Sequence, residues 1–173
     1  MSKLRVSEIC AEDDLHLLIS QINRATWDED NDISGYTLAS MQTYLAKADT
    51  VFLACYVELR HADTVIDEES PSGELSSQKL VGVASGRYQL KPYGLSRWLY
   101  IDEVDTCSDY RRQGVGSALM ARFLELAAEN GCEEAWLATE SDNLPAQRLY
   151  ESFDSAEGEA TIGYAFDMSQ HSG

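Results

Sequence analysis

Three groups of residues in this 173-residue chain are of types that do chemistry. Asp102 and Glu103 stand side by side near the end of a run from Trp98 to Thr106. A carboxylate at a strand end can accept a proton directly or through a water. A turn with two basic side chains and two glycines follows, Arg111-Arg112-Gln113-Gly114-Val115-Gly116, and leads through Ser117 into a helical pattern. Glycines let backbone N–H groups approach a ligand closely, and a helix N-terminus adds fixed positive potential. Strand, glycine turn and helix start together make a cradle suited to a pyrophosphate. The third group is Asn143 and Tyr150, which bracket a short segment near the C-terminus.

The elements that must position these groups are readable from period and composition. Trp98–Thr106 is rich in aromatic and β-branched residues, as a buried strand should be. Beyond the turn, Val115, Leu119, Phe123 and Leu126 share one helical face and Arg122, Glu125 and Glu129 the other, and Gly131 supplies a helix stop. Upstream, the patterns predict a strand over Leu4–Ser7 and a helix over Glu12–Arg24. An acidic turn from Trp27 to Gly35 follows, then a helix entered at Thr37 with Thr37 and Ser40 as possible caps. Strands are predicted over Val51–Leu59 and Lys79–Leu90, joined by an acidic, Ser-rich connection over 61–78 that is expected to be solvated and mobile. Lys91-Pro92-Tyr93-Gly94 breaks the chain before the central strand. A strand over Glu134–Thr139, a helix through Ala146, Leu149 and Tyr150, and a final strand over Thr161–Met168 complete the order. Hairpins first and a strand–helix–strand crossover later imply an α/β (α+β) fold: a mixed, mostly antiparallel sheet flanked by about four helices. One domain over 1–173 is expected, with no internal repeat.

Composition narrows the function classes. The net charge of −17 argues against nucleic acid, whose phosphates need a basic surface. It fits either a solubilising or salt-adapted surface or an acidic cleft that draws in a cationic substrate. The four cysteines, Cys10, Cys55, Cys107 and Cys132, lie far apart. They offer neither a zinc spacing nor a disulfide framework, so no metal is expected. No apolar run approaches a membrane span and the first residues lack a signal-peptide core, so a cytoplasmic protein is expected.

Arg111–Gly116 fits Arg/Gln-x-x-Gly-x-Gly/Ala in full, and is neither the dinucleotide Gly-x-Gly-x-x-Gly nor a Walker loop. It resembles the acetyl-CoA-binding motif of the GNAT superfamily of N-acetyltransferases, and the resemblance covers roughly Trp98 to Phe153. It implies that acetyl-CoA is the cosubstrate, held by Arg111, Arg112, Gln113, Gly114, Val115, Gly116 and Ser117. It also implies that backbone N–H groups of Val104, Asp105 and Thr106 polarise the thioester. Family members usually have an apolar residue where Asp105 stands. For the base, the family pattern favours Glu103, with Asp102 as the other candidate. Strand alternation sends the two to opposite faces, unless a bulge alters the parity. Asn143-Leu144-Pro145-Ala146-Gln147-Arg148-Leu149-Tyr150 resembles the family's Asn-x-x-Ala-x-x-Leu-Tyr helix. That likeness implies that Asn143 bonds the pantetheine arm and Tyr150 protonates the leaving sulfur. Phe153-Asp154-Ser155 replaces the usual Leu-Gly-Phe, and there the likeness weakens.

Tyr44–Lys47, Val51–Tyr56 and Leu90–Tyr93 leading into Leu99–Glu103 look like the aminoglycoside 3-N-acetyltransferases. That likeness implies a polycationic sugar as acceptor, received by Asp28, Glu29, Asp30 and Asp32 between the first two helices, with Tyr93 beside them. Three readings stay open: an aminoglycoside N-acetyltransferase, a GNAT protein acting on a polyamine or protein lysine, and a non-catalytic acetyl-CoA-binding module. A homodimer is expected by family analogy only.

Overall fold

The computed structural model describes residues 3–27, 35–59, 65–66, 75–76, 78–93, 96–154 and 156–167. In chain order the elements are β1 (Leu4–Glu8), α1 (Leu15–Arg24), α2 (Leu38–Leu45), β2 (Thr50–Glu58), β3 (Val65–Ile66) and β4 (Leu75–Ser76). They continue with β5 (Gln78–Leu90), β6 (Arg97–Thr106), α3 (Val115–Glu129), β7 (Glu134–Trp136) and α4 (Leu144–Tyr150). Five strands form one sheet in the order β1-β2-β5-β6-β7. Its first three pairings are antiparallel and the last, β6 with β7, is parallel. This is the mixed, mostly antiparallel sheet with four helices that the sequence predicts. By contact the chain divides into two compact units, Met1–Ala138 and Thr139–Gly173.

Caps set the helix starts. α1 begins at Leu15, later than predicted, because the Asp14 carboxylate accepts from the Leu17 N–H at 3.0 Å and ends the preceding turn. At α2, Thr37 and Ser40 cap each other. The Ser40 N–H donates to Thr37 Oγ1 at 3.1 Å and the Thr37 N–H to Ser40 Oγ at 3.0 Å, a reciprocal capping box.

The sheet is buried on both faces. On one, Leu15, Leu18 and Ile22 of α1 and Met41 of α2 cluster with Phe52, Ala54 and Val83. On the other lies α3, drawn close by two glycines of β5. A Cβ at Gly82 would stand 2.5 Å from Val115 Cγ1, and one at Gly86 3.3 Å from Phe123 Cε1. These contacts assign the two faces: Phe52, Ala54 and Val83 look toward α1 and α2, and Gly82, Ala84 and Gly86 toward α3.

Two predictions are corrected. The acidic connection is not wholly irregular, because β3 and β4 pair within it as a two-stranded ladder and its last residue, Gln78, already belongs to β5; its other residues lie outside those described. The final strand does not form: 156–167 carries neither helix nor strand, and Ile162, Tyr164 and Phe166 are 78%, 80% and 81% exposed. Their alternation is strand-like, but a strand needs a ladder partner, and the unit that holds them has no other strand among its described residues.

Candidate active site

β6 is the spine of the site. Its ladder to β7 covers only Trp98–Tyr100, and from Ile101 to Thr106 it is paired on the β5 side alone. The predicted strand over Glu134–Thr139 stops at Trp136, and this early stop opens the sheet beside β6. Val104, Asp105 and Thr106 therefore lie where one edge of β6 has no strand partner among the described residues, as backbone contact with a ligand requires.

At the end of β6 the chain passes through a 3-10 turn, Ser108–Tyr110, into the basic glycine turn. Gln113 does not face outward freely: its Nε2 donates to the Asp109 carbonyl at 3.0 Å and braces the turn. Arg112 has φ 57° and Gly114 φ 87°. Among the described residues Arg112 is the only non-glycine with positive φ, a conformation that costs about 1–2 kcal/mol for most side chains. Gly114 is the N-cap of α3, and no side chain caps that helix. The first helical N–H to reach a helix carbonyl is that of Ala118, which donates to Gly114 at 2.9 Å. The N–H groups of Val115, Gly116 and Ser117 are thus the ones a helix start presents to an anion. Val115 can contribute only its backbone, since its side chain is buried.

The carboxylates are arranged by a β-bulge. Gly86 pairs with Ile101 and Ser85 with Glu103, leaving Asp102 as the extra residue. Strict alternation would separate Asp102 from Glu103, and the bulge removes that expectation. Glu103 opposite Ser85 and Asp105 opposite Val83 share the face under α1 and α2, while Val104 opposite Ala84 and Thr106 opposite Gly82 share the α3 face. The Asp102 carboxylate accepts from the Arg87 guanidinium, which also lies 5.7 Å from the Tyr100 ring centroid. Asp102 is therefore engaged by a cation of its own strand pair.

Two tyrosines that sequence reasoning did not assign to the site stand over these acids. Burial, then the charges of Glu103 and Asp105, hold the Tyr36 phenol well above its usual range. Burial, then Asp102, raises Tyr44, whose hydroxyl donates to the Gly86 carbonyl at 2.7 Å. Tyr44 thus ties α2 to the strand position where the bulge begins. Asp105, the departure from the family pattern, is half-buried; burial first and Glu103 second push its carboxyl up to about 6. The isolated glycines in β5 were the available signal for a close approach and a bulge there.

Asp28, Glu29, Asp30 and Asp32 lie outside the described residues. Both flanks of their segment are tied to α1: Trp27 Nε1–H donates to the Ile22 carbonyl at 2.8 Å and Asn23 Nδ2 to the Tyr36 carbonyl at 3.4 Å. Tyr93 is 64% exposed in the turn beyond the Leu90–Arg97 pair. At about 3.3 Å per strand residue it sits roughly 20 Å along β6 from Glu103, so the structure does not bring it to the carboxylates. Asn143 and Tyr150 belong to the second unit. There the Asn143 side-chain oxygen caps α4, accepting from the Ala146 N–H at 3.2 Å, and Tyr150 is the last residue of that helix.

Residues 7–154 match the model of the acetyltransferase (GNAT) family, and the chain belongs to that family. A mycothiol acetyltransferase of Clavibacter sepedonicus is 39% identical over 80 residues, 46% of this chain and 26% of that protein. The thialysine N-epsilon-acetyltransferase of Bos taurus is 29% identical over 105 residues, 57% of this chain and 59% of that one. The aminoglycoside N(6')-acetyltransferase type 1 of Serratia marcescens is 34% identical over 65 residues, 38% of this chain and 44% of that one. The chain thus spans less than two thirds of the length of each of these relatives. Among solved structures, an aminoglycoside acetyltransferase from an uncultured soil metagenomic sample, in complex with sisomicin, superposes with a TM-score of 0.71 at 17% identity, over 95% of both chains. AAC(6')-Iy in complex with a CoA bisubstrate analog superposes at 0.65 and 15% identity, over 96% of this chain and 99% of that one. At these identities the structural likeness shows the fold alone.

Proposed function

We propose that this chain is an acetyl-CoA-dependent N-acetyltransferase whose acceptor is a cationic amine, with the 3-amino group of an aminoglycoside as the first candidate. The observation that carries the reading is the joint layout of β6. Its one-sided edge ends at an uncapped helix start, and Glu103 stands on the adjoining face beneath α1 and α2. Acetyl-CoA fits this layout. The N–H groups of Val115, Gly116 and Ser117, with Arg111 and Arg112, suit its phosphates, and the open edge at Val104–Thr106 suits its extended arm. The bound cosubstrate supplies an acetyl group activated as a thioester.

The chain's own residues then have distinct roles. Glu103 takes the proton from the attacking ammonium, since only the neutral amine is nucleophilic. Backbone N–H groups of the Val104–Thr106 stretch stabilise the developing oxyanion. On the resemblance of its helix, Tyr150 is the proton donor to the leaving thiolate and Asn143 a ligand of the pantetheine arm. The neighbours bound to sisomicin and to an aminoglycoside bisubstrate analog support the aminoglycoside choice. The thialysine name among the relatives supports a lysine-type amine, and the acidity of the chain a polyamine, as the second reading. A cytoplasmic homodimer is part of the proposal by family analogy.

The test is CoA release from acetyl-CoA by the purified protein, with aminoglycosides, polyamines and lysine peptides as acceptors. Turnover confined to aminoglycosides, lost in Glu103→Gln and reduced in Tyr150→Phe, is the expected result. Turnover of polyamines or peptides alone removes the drug substrate and keeps the chemistry. Acetyl-CoA binding with no turnover of any amine overturns the enzymatic reading in favour of a binding module.

A further inference from the structure

On β6 and β7 three rings form a floor that the chemistry above does not use. Trp98 and Tyr100 stack with centroids 6.0 Å apart and planes 25° from parallel, and Trp136 of β7 stands 5.5 Å from Tyr100. All three are half-buried, and the core beneath α1 and α2 includes none of them. The floor adjoins the acid. Tyr100 pairs with Arg87 and Glu103 with Ser85, so the bulge leaves Tyr100 and Glu103 on one face, a two-residue step of β5 apart, about 7 Å. Two donors border the rings. Lys91 Nζ lies 4.0 Å from the Trp98 centroid and 4.8 Å from that of Tyr100, and it donates to the Tyr100 hydroxyl at 2.6 Å. A hydroxyl that accepts from an ammonium keeps its own proton to donate, and the ammonium keeps further N–H groups. The other cation at the rings, Arg87, is 5.7 Å from the Tyr100 centroid and is engaged by Asp102.

We propose that Trp98, Tyr100 and Trp136 are specificity-determining residues: they seat a neutral, hydroxylated ring of the acceptor, a sugar joined to the ring that bears the reacting amine. The assignment rests on the N-acetyltransferase reading above and deepens it. Flat aromatic faces take the C–H face of a saccharide ring, and the Lys91 and Tyr100 donors meet its hydroxyl oxygens. Charge decides against a second ammonium there. Lys91 already occupies the rings, and a like charge beside it in a half-buried setting is repelled. A polyamine gains nothing from the floor, having neither a ring face nor hydroxyls. The reacting amine goes to Glu103 and the glycosidic ring to the floor, so that glycosylated aminocyclitols are preferred to bare ones.

The experiment compares acceptors that share one aminocyclitol, 2-deoxystreptamine alone and its 4-O-glucoside, with spermidine as the ring-free amine. Wild type, Trp136→Leu and Tyr100→Phe are assayed; the second variant keeps its ring and loses only the donor, which guards against a folding defect in the first. Wild type should prefer the glucoside in kcat/KM. The glucoside-to-aglycone ratio is expected to fall about tenfold in Trp136→Leu and about threefold in Tyr100→Phe, chiefly through the glucoside KM. Spermidine turnover and the acetyl-CoA KM should not change. A wild type without preference for the glucoside, or variants that leave the ratio unchanged, overturns the assignment and leaves the acetyltransferase reading intact. With wild type inactive on every amine the proposed function fails, and tryptophan fluorescence decides the floor. Saturable quenching by the glucoside, weakened in Tyr100→Phe, sustains the ring site; no quenching overturns it as well.

Discussion

Asp105→Asn should make the protein more stable above pH 6. The carboxyl is raised from 3.8 to about 6 in the folded protein, by burial first and by Glu103 second. A shift of about two units corresponds to a ceiling of about 3 kcal/mol. The side chain keeps partial contact with water, so screening reduces this to about 1–2 kcal/mol. The direction follows from linkage. Below about pH 4 the group is protonated in both states and carries no penalty; between about 4 and 6 the unfolded chain ionises more readily than the folded one. Wild-type stability therefore falls as pH rises through this window and is level above it. The asparagine variant lacks the group and escapes the fall. Urea titrations followed by circular dichroism should show the two proteins converging toward pH 4–5, with the variant ahead by about 1–2 kcal/mol at pH 7–8, or about 2–8 °C in Tm for a chain of this size. An advantage of equal size at every pH would mean that it does not come from ionisation of the carboxyl, and a less stable variant at pH 8 would mean that a bond to the ionised carboxylate outweighs its burial. Either result refutes the reasoning.

Other perturbations probe the frame that holds the acids. Gly86→Ala brings a Cβ to 2.7 Å from the Tyr100 carbonyl oxygen and 3.3 Å from Phe123 Cε1. Because the first obstacle is backbone, a loss of about 1–3 kcal/mol in urea midpoint analysis is expected, with a fall in kcat as the bulge is displaced. Tyr44→Phe removes the donor to the Gly86 carbonyl and should cost about 1–2 kcal/mol, with little change in the acetyl-CoA KM. Gly114→Ala forces a side chain into φ 87° at the start of α3. About 1–2 kcal/mol of local strain should appear as a raised acetyl-CoA KM in steady-state kinetics.

The local signals in the chain were enough for most elements. Thr37 and Ser40 form the cap their types suggest, β6 carries the predicted acids, and the basic glycine turn opens α3 at Val115. Each depends on residues near in sequence, so a capping box or a glycine turn is legible wherever it occurs. The final strand failed for the opposite reason. Thr161–Met168 alternates as a strand should, but alternation records only which side chains could share a face; the ladder must come from elsewhere. The facing of Asp102 and Glu103 was likewise undetermined, because one inserted residue reverses every side chain beyond it.

What the sequence determined by itself was therefore the inventory and its order: a strand with paired acids, a basic glycine turn, an amphipathic helix and the family to which they belong. Tertiary structure alone decided which groups meet. The pairing of Ser85 with Glu103 in place of Asp102 put Glu103 and Asp105 on the face of the phenols, and Arg87 engaged the Asp102 left over in the bulge. Both depend on register between strands distant in the chain. Register is set by packing of whole faces, here by the close seat of α3 on Gly82 and Gly86 and by the tie of Tyr44 to the Gly86 carbonyl, and no local pattern encodes it.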